Sequence, residues 1–370
     1  MPSMKTFQSA AETLPQIPLT AATSYQLQLP EMTTFVDDQL SNTPGILDLI
    51  GGNSLQMMSD NHRHHGDFMA TIFTLGSYQL LAQTLPWVYR AYHSRRFSYD
   101  YFPLELRCWI AAVEKSMPAE QSGAIITIYQ WMIAQHETII TLSQQDLAPL
   151  PVVDNHWLEH KNSFRAAALR GDHHLCLKIA GDIVKKPEDI SPFYLQVLQP
   201  TLYEVGTLWE KNKISAAQEH LVSAIVSRVM ATANLVISEP VHLHGRVVVS
   251  ACANEYHELG ALMISDILEL DSWDVCYLGA NVPVADLLEQ LRMVKPDVLA
   301  LSVTMTFNIN KAREIIKLMR QEPELAAIKV VVGGKAFSDN RDLWHHIGAD
   351  ACAADLAEAR QLLHSFRKAS

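Results

Sequence analysis

The feature that most constrains this chain is a change in the period of its apolar residues at Glu239-Pro240. Ahead of that break they recur at i, i+3 and i+4, the repeat of a buried helical face, whereas behind it short β-branched runs alternate with helical stretches. Strands are expected at 246–250, 274–278, 298–302 and 329–332, and helices at 258–270, 284–294, 310–322 and 355–366. Such strands are covered on both faces, and crossover helices let them lie side by side in parallel. The expectation over 244–370 is a doubly wound parallel sheet whose ligand lies beyond the carboxyl ends of its strands.

Upstream, residues 1–34 mix Ser, Thr, Gln and Pro without periodicity and read as a flexible leader. Residues 35–150 read as a helical domain, from spacings such as Phe68, Ile72, Leu75 and Ile125, Ile128, Tyr129, Met132. Asp146 to Pro151, with Pro149 and Pro151 close together, reads as a linker. Residues 153–240 then read as a four-helix bundle, broken at Gly171-Asp172 and at Lys185-Lys186-Pro187, with Ser215 an N-cap for its last helix. The fold class is therefore α plus α/β, and 370 residues accommodate two or three cores.

Charge and cysteine content narrow the function classes. A formal charge of -11 repels phosphate backbones, so direct nucleic-acid binding is not expected. The five cysteines never fall into a C-x-x-C pair, which argues against a zinc site or a disulfide framework. No secretory h-region or membrane span is evident, so a cytoplasmic location without membrane contact is expected.

The strand ends carry the chemistry. The first is followed by Cys252-Ala253-Asn254-Glu255-Tyr256-His257-Glu258-Leu259-Gly260, the second by Leu278 to Pro283, including Val282, the third by Val303-Thr304, and the fourth by Gly333-Gly334. No G-x-G-x-x-G follows the first strand, and no P-loop is present. Glu255-x-His257-x-x-Gly260, 41 residues, Ser302-x-Thr304, 28 residues and Gly333-Gly334 together resemble the Rossmann-like cobalamin-binding domain of B12-dependent methyltransferases, mutases and light sensors. The resemblance implies that His257 displaces the nucleotide base and ligates cobalt from below. It also implies that Glu255 holds the second imidazole nitrogen, and that Tyr256, Gly260, Val282, Ser302, Thr304, Gly333 and Gly334 line the cofactor cleft. Neutral imidazole is a good cobalt ligand, and a carboxylate on its other nitrogen fixes the tautomer.

Within the bundle, Trp209, nine residues and Glu219-His220 resemble the upper-face lid of light-sensing cobalamin proteins related to MerR-type B12-dependent repressors. The resemblance implies that Trp209, Glu219 and His220 pack around the 5′-deoxyadenosyl group. Those relatives carry histidine after the Trp, whereas this chain has Glu210, a weaker cobalt ligand, so a bis-histidine photoproduct is not expected from that position. In the amino-terminal domain Trp87 to Phe102 is dense in aromatics and arginine, a mixture that could hold a bilin or another anionic tetrapyrrole, or simply pack a helical core. His62, His64 and His65 read as a solvated polar turn.

These expectations converge on an adenosylcobalamin photoreceptor or sensor that is not an enzyme. It would bind the cofactor base-off and signal through its amino-terminal domain to a protein partner or a second copy. The alternative is a corrinoid carrier of a methyltransferase system. A scaffold that has kept only the fold would take up no cofactor.

Overall fold

The computed structural model describes residues 3–145, 152–237, 244–338 and 342–366, so the expected linker and the Glu239-Pro240 break lie outside the described residues. The chain divides into two compact units, Met1–Pro149 with Glu210–Asn212, and Leu150–Trp209 with Lys213–Ser370.

The first unit is helical: α1 Met4–Ala11, α2 Leu19–Ser41, α3 Leu55–Leu75, α4 Tyr78–Ser94, α5 Tyr101–Ser116, α6 Ala119–Ala134 and α7 His136–Ser143. The leader expected over 1–34 is therefore replaced by α1 and most of α2. Tyr25, Met32, Val36 and Leu40 in α2 are wholly buried, and Phe7 in α1 is 2% exposed. Their apolar face was masked by the Thr, Gln and Ser between them, because tertiary partners rather than local hydrophobicity hold such a helix. The His62–His65 segment is likewise not a solvated turn but the middle of α3. His62 is buried, with Nδ1 2.5 Å from Asp37 Oδ1 and Nε2 2.7 Å from the Tyr101 hydroxyl. His65 packs against Trp109 and Tyr129, and burial pushes its imidazole down to about 3.

The aromatic stretch over 87–102 closes on itself. Tyr89 stacks on Phe102 at 3.7 Å and His93 on Tyr99 at 4.0 Å. Arg90 donates through Nε to the Ser143 carbonyl at 2.7 Å and through Nη1 to Glu210 Oε1 at 2.9 Å, and Arg95 Nη1 donates to the Ala91 carbonyl at 2.7 Å. Rings stacked on rings, with Arg90 and Arg95 bonded to protein acceptors, make this a helix-packing core with Arg96 exposed at its rim.

In the second unit the bundle comprises α8 Leu158–Leu169, α9 His173–Ile183, a helical run from Ile190 through a π-turn at Tyr194–Leu198 into α10 Gln199–Glu210, whose last residue groups with the first unit, and α11 Ala216–Ala233. Ser215 caps α11, accepting from Gln218 N at 3.2 Å while Gln218 Oε1 accepts from Ser215 N at 3.0 Å. The sheet comprises β1 Arg246–Ala251, β2 Asp274–Tyr277, β3 Val298–Ser302, β4 Lys329–Gly333 and β5 Ala351–Ala353, all parallel in the order β2-β1-β3-β4-β5. Helices α12 Leu259–Leu270, α13 Val284–Val294, α14 Ile309–Gln321 and α15 Leu356–Ser365 cover it. The four expected strands are present, β5 and the short turns Lys335–Ser338 and Leu343–Ile347 are additional, and the α plus α/β class holds.

Bundle and sheet layer share one apolar core, in which Phe164, Phe193, Val197, Val226 and Val229 join Val247, Ile267, Leu268 and Val298. A core continuous across both is why they form one unit. The π-turn supplies Tyr194, whose hydroxyl donates to Asp266 Oδ2 of α12 at 2.6 Å. The order 2-1-3-4-5 reverses direction between β1 and β3, and that switch point opens a crevice at their carboxyl ends. No helix among the described residues is long and apolar enough to cross a membrane.

Candidate functional site

The loop after β1 runs into the crevice and is held by side chains of its own sequence. Asn254, at φ 65°, takes a left-handed turn; its N–H donates to Asn281 Oδ1 at 2.8 Å, and Asn281 N donates to the Glu255 carbonyl at 2.9 Å. Asparagine tolerates that conformation better than other side-chain-bearing residues. The geometry turns Glu255 inward, where it is fully buried.

Glu255 is the hub of the site. Its Oε1 lies 2.6 Å from His257 Nδ1 and accepts from His257 N at 3.2 Å. Its Oε2 accepts from Thr304 N and Met305 N, each at 2.9 Å, and from Asn308 Nδ2 at 3.1 Å. Burial alone would raise this carboxyl, but the bonds from His257, Met305 and Asn308 outweigh it and hold the group down to about 2. An ionised Glu255 can only accept, so His257 Nδ1 carries a proton and, in the neutral ring, the lone pair is on Nε2. The imidazole side chain is 57% exposed. The bond to Glu255 raises its affinity for a proton, Glu219 of α11 adds to that effect, and Lys335 after β4 opposes it. Glu219 and Lys335 thus act on the same ring from the bundle and from the sheet.

Beside the loop lies a cavity of ≈ 120 Å³ lined by Gly260, Ser302, Gly333 and Gly334 together with Tyr203 of the bundle and Asp355. A Cβ built on Gly260 meets nothing within 4 Å, so that glycine leaves room a side chain would fill.

Glu255, His257, Gly260, Ser302, Gly333 and Gly334 cluster at the carboxyl ends of β1, β3 and β4. Thr304 contributes its backbone N–H to Glu255 and does not line the cavity. Tyr256 is 67% exposed, its hydroxyl accepting from Asn281 Nδ2 at 3.2 Å, and Val282 is half-buried in the loop after β2. On α11, Glu219 Oε1 accepts from Ser223 Oγ at 3.0 Å and Oε2 lies 2.6 Å from Nδ1 of His220, whose side chain is 79% exposed. Trp209 is half-buried near the end of α10. The residue that sequence reasoning missed is Asn308, 1% exposed, which donates to both the Glu255 carboxylate and the Asn254 carbonyl. Its only sequence signal was its place just ahead of a helix after the third strand.

Residues 245–363 match the B12 binding domain model, and residues 161–234 match a second B12 binding domain model that covers the bundle. The second unit is a B12-binding module. Dimethylamine corrinoid protein 2 of Methanosarcina acetivorans is 28% identical over 164 residues, 42% of this chain and 72% of that protein. The HTH-type transcriptional repressor CarH of Myxococcus xanthus is 31% identical over 141 residues, 38% of this chain and 46% of that protein. The solved Methanosarcina barkeri monomethylamine corrinoid protein is 19% identical, with a TM-score of 0.49, over 56% of this chain and 98% of its own.

The residues of the B12-binding module fit a corrinoid. The oriented imidazole offers an unprotonated nitrogen of the kind cobalt takes, and the adjoining cavity has small residues where a bulky group would enter.

Proposed function

We propose that the module holds cobalamin with its nucleotide base displaced. His257 Nε2 would ligate the cobalt, and the cavity beside Gly260, Ser302, Gly333 and Gly334 would receive the displaced tail. The observation that carries this reading is the 2.6 Å bond between His257 Nδ1 and the buried Glu255, which aims Nε2 outward as a ligand. Cobalamin, when bound, supplies a cobalt–carbon bond that can be made and broken. The protein's part is to fix the imidazole tautomer through Glu255, to fix Glu255 through Thr304, Met305 and Asn308, and to cover the upper face with the bundle.

Of the two uses of such a module, the likeness to dimethylamine corrinoid proteins supports a corrinoid carrier, itself not a catalyst, that serves a methyltransferase partner. This is the reading we favour. A second reading, an adenosylcobalamin photosensor, draws on Trp209 and Glu219-His220 and on the likeness to CarH; the supporting observation is that Glu219 acts electrostatically on His257. Signalling through the helical unit belongs to the sensor reading alone, and the self-packed 87–102 stretch gives a bilin no support.

The test is to add methylcobalamin and adenosylcobalamin to the apoprotein in darkness and record spectrum and mass distribution before and after illumination. A base-off, imidazole-ligated spectrum that His257→Ala abolishes is expected, and a base-on spectrum overturns the binding proposal. Methyl transfer to an acceptor with unchanged assembly in light supports the carrier. Assembly that changes on photolysis supports the sensor.

A further inference from the structure

A base-off cobalamin brings a charge into this cleft as well as a metal, because the displaced base is tied to the ring by a phosphodiester. The cavity residues give that anion little help. Among them are Gln199, Tyr203, Ser302 and Asp355 but no Lys, Arg or His, and Asp355 is itself acidic. Drawing a phosphodiester towards such a place is costly without a compensating cation at hand.

One cation adjoins the cavity lining in sequence. Lys335 directly follows Gly333 and Gly334, which line the cavity. Gly334 has φ +99°, and a Cβ there would lie 2.4 Å from the Val303 carbonyl oxygen, so the turn is pressed against the loop after β3. Val303 N donates to the Gly333 carbonyl at 2.9 Å and Ala336 N donates to the Val303 carbonyl at 3.2 Å. Both sides of Lys335 are thereby pinned, and Ala336 is 3% exposed, while the Lys335 side chain is exposed. Among the described residues no carboxylate forms an ion pair with it. Its charge also opposes protonation of His257, which puts it within electrostatic reach of the proposed cobalt ligand.

We infer that Lys335 recognises the nucleotide-loop phosphodiester of the corrinoid, and so makes the protein select phosphate-bearing corrinoids over truncated ones. The inference rests on the proposed base-off binding at His257. A lysine acts here as a mobile point charge, so the contact tolerates small differences in phosphate position but is sensitive to salt.

The experiment titrates full-length apoprotein with aquocobalamin, cobinamide phosphate and cobinamide at low and high salt, following absorbance. Lys335→Ala is expected to weaken the first two about three- to tenfold and to leave cobinamide unchanged. Lys335→Glu weakens the first two further, Lys335→Arg restores them, and the wild-type preference for cobinamide phosphate over cobinamide narrows as salt rises. Equal affinities in wild type and Lys335→Ala for all three ligands overturn the inference, as does an equal loss for cobinamide, which would mark a contact with the ring. A base-on wild-type spectrum, or binding indifferent to His257→Ala, removes the underlying reading and the inference with it. Base-off wild-type binding that ignores Lys335 removes the inference alone.

Discussion

Replacing Glu255 by glutamine separates the charge of the hub from its shape. The carboxyl is held at about 2 against an ordinary 4.5. At ~1.4 kcal/mol per pK unit the folded state favours the ionised form by roughly 3 kcal/mol. The group is fully buried, so solvent screening takes little from this figure. Because the folded value lies below the unfolded one, the contribution is complete above the unfolded value of about 4.5 and is lost as pH falls towards about 2. Glutamine keeps an oxygen for the donors Thr304 N, Met305 N and Asn308 Nδ2, but it turns an amide N–H₂ towards His257 Nδ1. That group can only donate, so Nδ1 must accept and the ring proton moves to Nε2, the nitrogen proposed to face cobalt. Glu255→Gln should therefore fold, lose about 1–3 kcal/mol in urea unfolding at neutral pH, and approach wild type in acid. It should also lose the imidazole-ligated spectrum with cobalamin. An unchanged axial imidazole spectrum in the variant, or a stability difference that ignores pH, would refute the reasoning.

Burial and backbone geometry set the outcomes of three more substitutions. Burial raises Asp266 from 3.8 to about 6, so the folded state binds protons more tightly than the unfolded one and stability falls as pH rises through that window. Asp266→Asn keeps an oxygen for Tyr194 and removes the buried charge. Urea midpoints should show it up to about 3 kcal/mol more stable than wild type at pH near 8 and equal near pH 4, whereas a loss of equal size at both pH values would show that the hydrogen bond outweighs the charge. Gly334→Ala combines a left-handed φ of +99° with a Cβ 2.4 Å from the Val303 oxygen and should cost more than about 2 kcal/mol. Gly260→Ala, which meets nothing within 4 Å, should leave urea stability within about 0.5 kcal/mol of wild type; comparable losses in the two variants would count against the turn argument.

What could be read in the chain depended on how local each signal is. Val247, Val248 and Val249, or Val330, Val331 and Val332, declare a strand within a few residues, since a run apolar on both faces has few other uses. Ser215 and Gln218 declare a helix start because both partners lie within one turn. The loop holding Glu255 and His257 was visible as a pattern of residue types at a strand end. By contrast β5 is three residues long and exists through its pairing with β4, with Gly333 opposite Ala353. Helix α2 is hidden in a polar-looking stretch for the same reason, since Tyr25 draws its burial and the 2.7 Å bond between its hydroxyl and that of Tyr129 from a distant part of the chain.

By itself, then, the sequence determined the parallel α/β layout, the helical bundle before it, and the presence of a carboxylate and an imidazole two residues apart at a strand end. Only the tertiary structure decided that Asn308 and the Thr304 and Met305 amides would converge on Glu255 and that Lys335 would stand within electrostatic reach of His257. The reason is physical: a strand's preference resides in its own side chains, whereas the charge state of a buried carboxylate is set by donors that only the closed sheet brings within 3.1 Å of it.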